Sequence, residues 1–184
     1  AQIILPRASE PVQARMMAEI MSAAGDVFGR AGAVILGGHS TMGAELTIGF
    51  SITGLCDGAP ITLGRAQAGD ALILTAPIGS GVLLAAEMQG KARGADVAAL
   101  WSAMAAGQAD AAAVLSGAHA MTDVTGFGLA GHLLAICRAS GVAAELWGEA
   151  VPVHAGALDL ARRGVRSTLF EANRSHAPVF GAES

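Results

Sequence analysis

Thr122-Asp123-Val124-Thr125-Gly126-Phe127-Gly128-Leu129-Ala130-Gly131-His132-Leu133 sets an acidic residue and two glycines in front of an apolar helix. Leu129, Leu133 and Ile136 then recur at helical spacing, and Gly141 is placed to close the helix as a C-terminal cap. The first backbone N–H groups of a helix have no intrahelical partner and attract anions. An aspartate beside them repels a phosphate unless a hard cation lies between the two. The segment therefore reads as a phosphate–Mg²⁺ site with Asp123 as an oxygen ligand. The simpler alternative is a helix cap in which Asp123 or Thr125 accepts backbone N–H bonds. Local sequence leaves both open.

Outward from this stretch the chain alternates expected strands and helices. Residues 2 to 5 read as a strand. Ser9-Glu10-Pro11 opens a helix, with Val12, Met16, Ile20, Ala24 and Val27 at helical spacing and Gly32 ending it. Ala33 to Leu36 reads as a short buried strand, Gly37-Gly38-His39-Ser40 as a flexible turn, and Leu46 to Thr53 as an alternating strand. A Gly-rich linker follows. Ala71 to Thr75 is an expected strand, Ser80 to Gln89 a helix, and Asp96 the cap of a helix carrying Val97, Leu100, Trp101 and Met104. Gly107 breaks that helix before another reaching about Ser116. Ala118 to Met121 and Val142 to Leu146 are expected strands, and Val153 to Arg162 a helix. Residues 164–184 read as mostly loop, with a helical turn near Glu171.

The 184 residues suffice for one large domain or two small ones. A hydrophobic fraction of 53% supports a core, and its alanine content favours closely packed helices on a sheet over an aromatic core. Mean hydropathy is +0.52. With no Tyr, 4% aromatic residues and a net charge of −4, the chain lacks the stacking and basic footprint of a nucleic-acid binder. ATP needs no positive net charge, because metal and backbone amides can hold it. No run of about 18 apolar residues marks a membrane span, and the opening residues lack a signal-peptide pattern. Cys56 and Cys137 form no disulfide or metal pattern; Cys137 reads as a core or boundary thiol. The cytoplasm is the expected compartment.

Three blocks resemble one family. Thr122–Leu133 resembles the TDVTGFGL-GHL signature of selenophosphate synthetase (selenide, water dikinase). Ala31-Gly32-Ala33-Val34-Ile35-Leu36-Gly37-Gly38-His39-Ser40, with Glu45 and Ile48–Gly54, is similar to that family's AGG-HS/T block. Gly69-Asp70-Ala71-Leu72-Ile73-Leu74-Thr75-Ala76-Pro77-Ile78-Gly79-Ser80-Gly81-Val82 is similar to its GD-LILTKPLG-GV block, which wider relatives share, among them aminoimidazole ribonucleotide synthetase and thiamine monophosphate kinase. The blocks occur in the family's order, and the resemblance covers nearly the whole chain.

The resemblance implies an α/β (α+β sandwich) fold of the two-domain aminoimidazole ribonucleotide synthetase type. Residues 1–55 would be the C-terminal part of an ATP-binding and dimerisation domain, 56–69 a linker, and 70–184 a second α/β domain, incomplete at its end. It implies ATP and selenide as substrates, Mg²⁺ as cofactor and a homodimer. It gives Gly38, His39 and Ser40 a place at the nucleotide, across a subunit or domain interface, and Asp123 a place at the metal. The family's Gly-rich arm, with its Cys or selenocysteine and Lys, and its upstream aspartates have no match here; the single lysine, Lys91, lies elsewhere. The sequence reads as a fragment, inactive by itself and with no catalytic residue of its own. Another ATP-dependent kinase or synthetase of the superfamily, and a non-catalytic interaction module, are the alternatives.

Four further features read as structural. Gly79-Ser80-Gly81 after an expected strand hints at a dinucleotide fingerprint, but Leu84 stands where the third small residue belongs, so a tight turn is the better reading. His132 lies mid-helix as a packing or capping residue. His119, His154 and His176 lack zinc spacing. Arg162, Arg163 and Arg166 read as a solvated helix end that could also meet phosphate.

Overall fold

A computed structural model describes residues 1–56 and 58–176. Asp57 of the expected linker and residues 177–184 of the expected terminal loop lie outside the described residues. The chain divides into two compact units, Ala1–Gly58 and Ala59–Ser184. The architecture is mixed α and β.

The first unit is built on a three-stranded sheet. Its strands are β1 (Gln2–Pro6), β2 (His39–Gly43) and β3 (Thr47–Gly49), with β1 in the centre. β1 pairs with β2 in parallel, Ile3 opposite Ser40, and with β3 antiparallel, Ile3 opposite Ile48. A parallel pair needs a long crossover, and helix α1 (Glu10–Arg30) supplies it. Ser9 occupies its N-cap, Pro11 lies in its first turn and Gly32 follows its end with φ 69°, as expected. Ile3 and Leu5 alternate onto the covered face of β1, and Ala24 is buried on α1. Phe28 meets Phe50 edge-on at 5.2 Å between ring centroids.

Two expectations in this unit need correction. Ala33 to Leu36 is not a strand: the segment is irregular, and Leu36 is 95% exposed. The ladder starts at His39 instead, so His39 and Ser40 belong to β2 rather than to a flexible turn. Strand formation needs a partner for every second N–H and C=O, and β1 offers those partners to His39–Gly43. The expected Leu46–Thr53 strand shrinks to Thr47–Gly49 for the same reason: β1 pairs only as far as Gly49.

The second unit is helical: α2 (Ser80–Met88), α3 (Gly94–Ala105), α4 (Ala109–Val114), α5 (Gly128–Ser140), α6 (Ala157–Arg162) and α7 (Phe170–His176), with a 3₁₀ turn at Gly148–Ala150. Leu83, Ala85, Ala86, Leu100, Ala157, Leu160 and Val165 form its core. Alanine makes close helix approach possible. At Gly79, with φ 105°, an added Cβ would lie 2.8 Å from the Ala157 Cβ. The Gly79-Ser80-Gly81 turn is therefore packed against its own protein, as the tight-turn reading expects. Asp96 is not the N-cap of α3; Arg93 holds that position, and Asp96 lies in the first turn, 4.0 Å from the Arg93 guanidinium. The expected strands at 71–75, 118–121 and 142–146 are irregular. From the second of these, the Met121 N–H donates to the Thr62 carbonyl at 3.1 Å; outside all three, an isolated parallel bridge joins Ile78 to Val153. The last clear helix accordingly begins at Ala157 rather than Val153.

Candidate functional site

The run 121–125 approaches α5 as irregular chain outside any ladder, and Gly126-Phe127 turn into the helix. Phe127 is the N-cap, and no side chain caps the helix. Gly128 opens the helix at φ 77°, a left-handed conformation that a Cβ would strain. Gly141 ends it at φ 68°, as expected.

Bonds at three points hold the run. Met121 is tied to Thr62 as described. The Thr125 N–H donates to His132 Nε2 at 3.1 Å, with Thr125 Oγ1 at 3.0 Å from the same nitrogen. Asn173 of α7 donates through Nδ2 to the Gly126 carbonyl at 2.7 Å. Because a backbone N–H can only donate, His132 Nε2 is the acceptor of that bond. His132 thus has the structural role expected of it.

Asp123 sits between these anchors, on the N-terminal side of α5 and exposed. Among the described residues its carboxylate takes part in no hydrogen bond or ion pair; only its carbonyl accepts, from Thr122 Oγ1 at 3.1 Å. The capping alternative is therefore overturned for both Asp123 and Thr125. The helix starts five residues after Asp123, and Thr125 turns to His132. A solvated carboxylate near a helix N-terminus fits one ligand of Mg²⁺, which keeps waters and takes one or two carboxylates along with substrate phosphates. Among the described residues no group of three His, Cys, Asp or Glu side chains converges as a metal cage.

Gly38 and His39 line a shallow depression of about 450 Å³ in the first unit, with Ala1, Gln2, Gly49, Phe50 and Ser51. A Cβ at Gly38 would overlap the Ala1 carbonyl, and the His39 N–H donates to that carbonyl at 3.0 Å. Ser40 is not part of this lining. It follows His39 in β2, and successive strand residues face opposite sides. The structure thus joins Gly38 with His39 and separates the Ser40 side chain from them. Asp123 belongs to the other unit.

One pair escaped sequence reading. Asp70 accepts the Gln67 N–H at 2.8 Å, and its two carboxylate oxygens lie 2.9 and 3.0 Å from His119 Nδ1. The Gln67 backbone bond first, and the His119 imidazole second, hold the Asp70 carboxyl below its usual range. The partners are 49 residues apart, and no local pattern links them. The basic end of α6 is a structured helix terminus: Arg163 meets Asp159 at 3.6 Å, and Arg166 donates to the Ala161 and Val165 carbonyls and stacks 4.9 Å over Phe170.

Comparison with known proteins gives these features a context. The AIR synthase related protein, C-terminal domain profile matches residues 67–166. The chain belongs to the AIR synthase related protein family. Within this family it is similar to proteins named selenide, water dikinase. That of Geobacter metallireducens is 38% identical over 165 residues, 88% of this chain and 48% of the relative. That of Aeromonas salmonicida is 44% identical over 128 residues, 67% of this chain and 36% of the relative. That of Nitratidesulfovibrio vulgaris is 37% identical over 175 residues, 88% and 47%. The chain spans about half or less of the length of these relatives. No described helix is long and apolar enough to cross a membrane.

Proposed function

We propose that this chain is part of a selenide, water dikinase, a phosphotransferase that converts ATP, selenide and water to selenophosphate, AMP and phosphate. The observation that carries the reading is the uninterrupted Thr122–Leu133 signature, with an exposed Asp123 carboxylate that no described residue engages, ahead of a helix start. The similarity to proteins of that name supports it. In this reading the protein acts as a cytoplasmic homodimer. Residues 1–55 close the ATP-binding domain, and 70–184 form most of the second domain.

Phosphoryl transfer is chiefly positioning and charge neutralisation. Mg²⁺, when bound, would offset the charge on the phosphate oxygens. Asp123 supplies an anionic oxygen to that ion. Thr125 and Gly126, tied to His132 and Asn173, keep its loop from collapsing onto the helix. Gly38 and His39 line the depression that would receive the nucleotide, and Ser40, with its side chain on the other face of β2, would contribute only through its backbone.

The test is AMP formation by the full-length protein with selenide, set against other phosphoryl acceptors. Selenide-dependent AMP is the expected result. AMP-free, ADP-forming turnover with another acceptor would assign the protein to a different kinase of the family. Absence of any Mg²⁺-nucleotide binding would make it a non-catalytic module.

A further inference from the structure

We propose that Asp70 and His119 are positioning residues that hold the run leading to Asp123 in place, and so set the affinity of the Asp123 loop for its metal. This rests on the Mg²⁺ reading of Asp123. His119 stands four residues before Asp123, a reach of at most about 14 Å of extended chain. No β-ladder fixes the intervening backbone. On its upstream side the run is held to the 59–70 segment by two contacts: the single Met121–Thr62 backbone bond and the Asp70–His119 pair.

The anchor is itself rigid. Asp70 closes a tight turn, its N–H donating to the Gln67 carbonyl at 3.1 Å while its carboxylate accepts the Gln67 N–H. Ser140, at the end of α5, locks the same segment by accepting the Arg65 and Ala66 N–H groups and donating to the Leu63 carbonyl. Both ends of the loop are therefore referred to one frame: α5 through His132, and the 63–70 turn through His119. Loss of the His119 contact leaves the upstream end on one backbone bond. The side chains are 31% and 48% exposed, so the pair adds little to global stability. Its effect is expected in loop position.

The experiment uses the full-length protein carrying Asp70→Asn, His119→Ala, His119→Lys and Asp123→Asn. Amide chemical shifts of 121–126 are read without metal. Mn²⁺ binding in the presence of a non-hydrolysable ATP analogue is read by electron paramagnetic resonance. We expect Asp70→Asn and His119→Ala to displace the loop resonances and to weaken Mn²⁺ binding about tenfold, the lower end of the effect of removing groups that orient metal ligands. His119→Lys supplies a new N–H donor for the Asp70 carboxylate and is expected to recover both. Unchanged resonances and Mn²⁺ affinity in Asp70→Asn and His119→Ala, alongside weakened binding in Asp123→Asn, would overturn the positioning role alone. Unchanged Mn²⁺ binding in Asp123→Asn would instead remove the metal reading on which it rests.

Discussion

At the scale of single residues, Asp123 and Asp70 show how differently two exposed aspartates are used. Among the described residues the Asp123 carboxylate has no hydrogen-bond or ion-pair partner, so its replacement orphans none of them. Asp123→Asn in the full-length protein is expected to leave the melting temperature unchanged. It is expected to lower selenide-dependent turnover on the order of 100-fold or more, since it removes charge stabilisation at a phosphoryl-transfer site. Turnover with a Mg²⁺ titration, run beside thermal melts, decides this; wild-type turnover would leave Asp123 without a metal role. Asp70 is the opposite case. Its carboxyl is held below the ordinary value of 3.8 by the Gln67 N–H and then by His119. Its contribution to stability is thus present above the unfolded-state value and is lost as pH falls through the lower folded-state value. Urea unfolding of wild type and Asp70→Asn should therefore differ only slightly at pH 7, the pair being exposed, and less still in acid below the folded-state value; a difference that grows in acid would contradict this account.

At the scale of elements, helices were legible and most strands were not. α1 and α5 carry start and stop signals within their own residues: Ser9, Pro11 and Gly32 for the first, Gly141 for the second. Helix hydrogen bonds close within the segment, so a local pattern suffices. A strand's bonds close on another segment. Ala71–Thr75 and Val142–Leu146 have suitable composition, yet they run without a ladder. The same dependence moved the first-unit strand from Ala33–Leu36 to His39–Gly43. The helix contacts of the second unit give two quantitative expectations. Leu100→Ala, at 1% exposure, should cost about 2–5 kcal/mol in chemical denaturation. Gly79→Ala combines a left-handed backbone, about 1–2 kcal/mol by itself, with a contact against Ala157 that forces the α2–α6 packing apart. A Gly79→Ala protein that melts with wild type would mean that this turn relaxes freely.

At the scale of the whole molecule, the division at Gly58 leaves the second unit with a buried cluster of its own. Residues 59–176 expressed alone are therefore expected to unfold cooperatively by circular dichroism, and a non-cooperative melt would show that this core needs more of the chain. The 184-residue chain by itself is expected to form no selenophosphate, because the Cys/Lys arm implied by the family resemblance has no counterpart in it. Selenide-dependent AMP formation by the purified chain would disprove that. Sequence by itself determined the family resemblance, the helices and the place of Asp123 ahead of α5, since each depends on residues within one short stretch. Only the tertiary structure decided whether Asp123 caps a helix or stands free, which side of β2 carries His39 and which Ser40, and that Asp70 holds His119. These are questions of which distant groups meet, and their answers depend on how the whole chain packs rather than on any local run of residues.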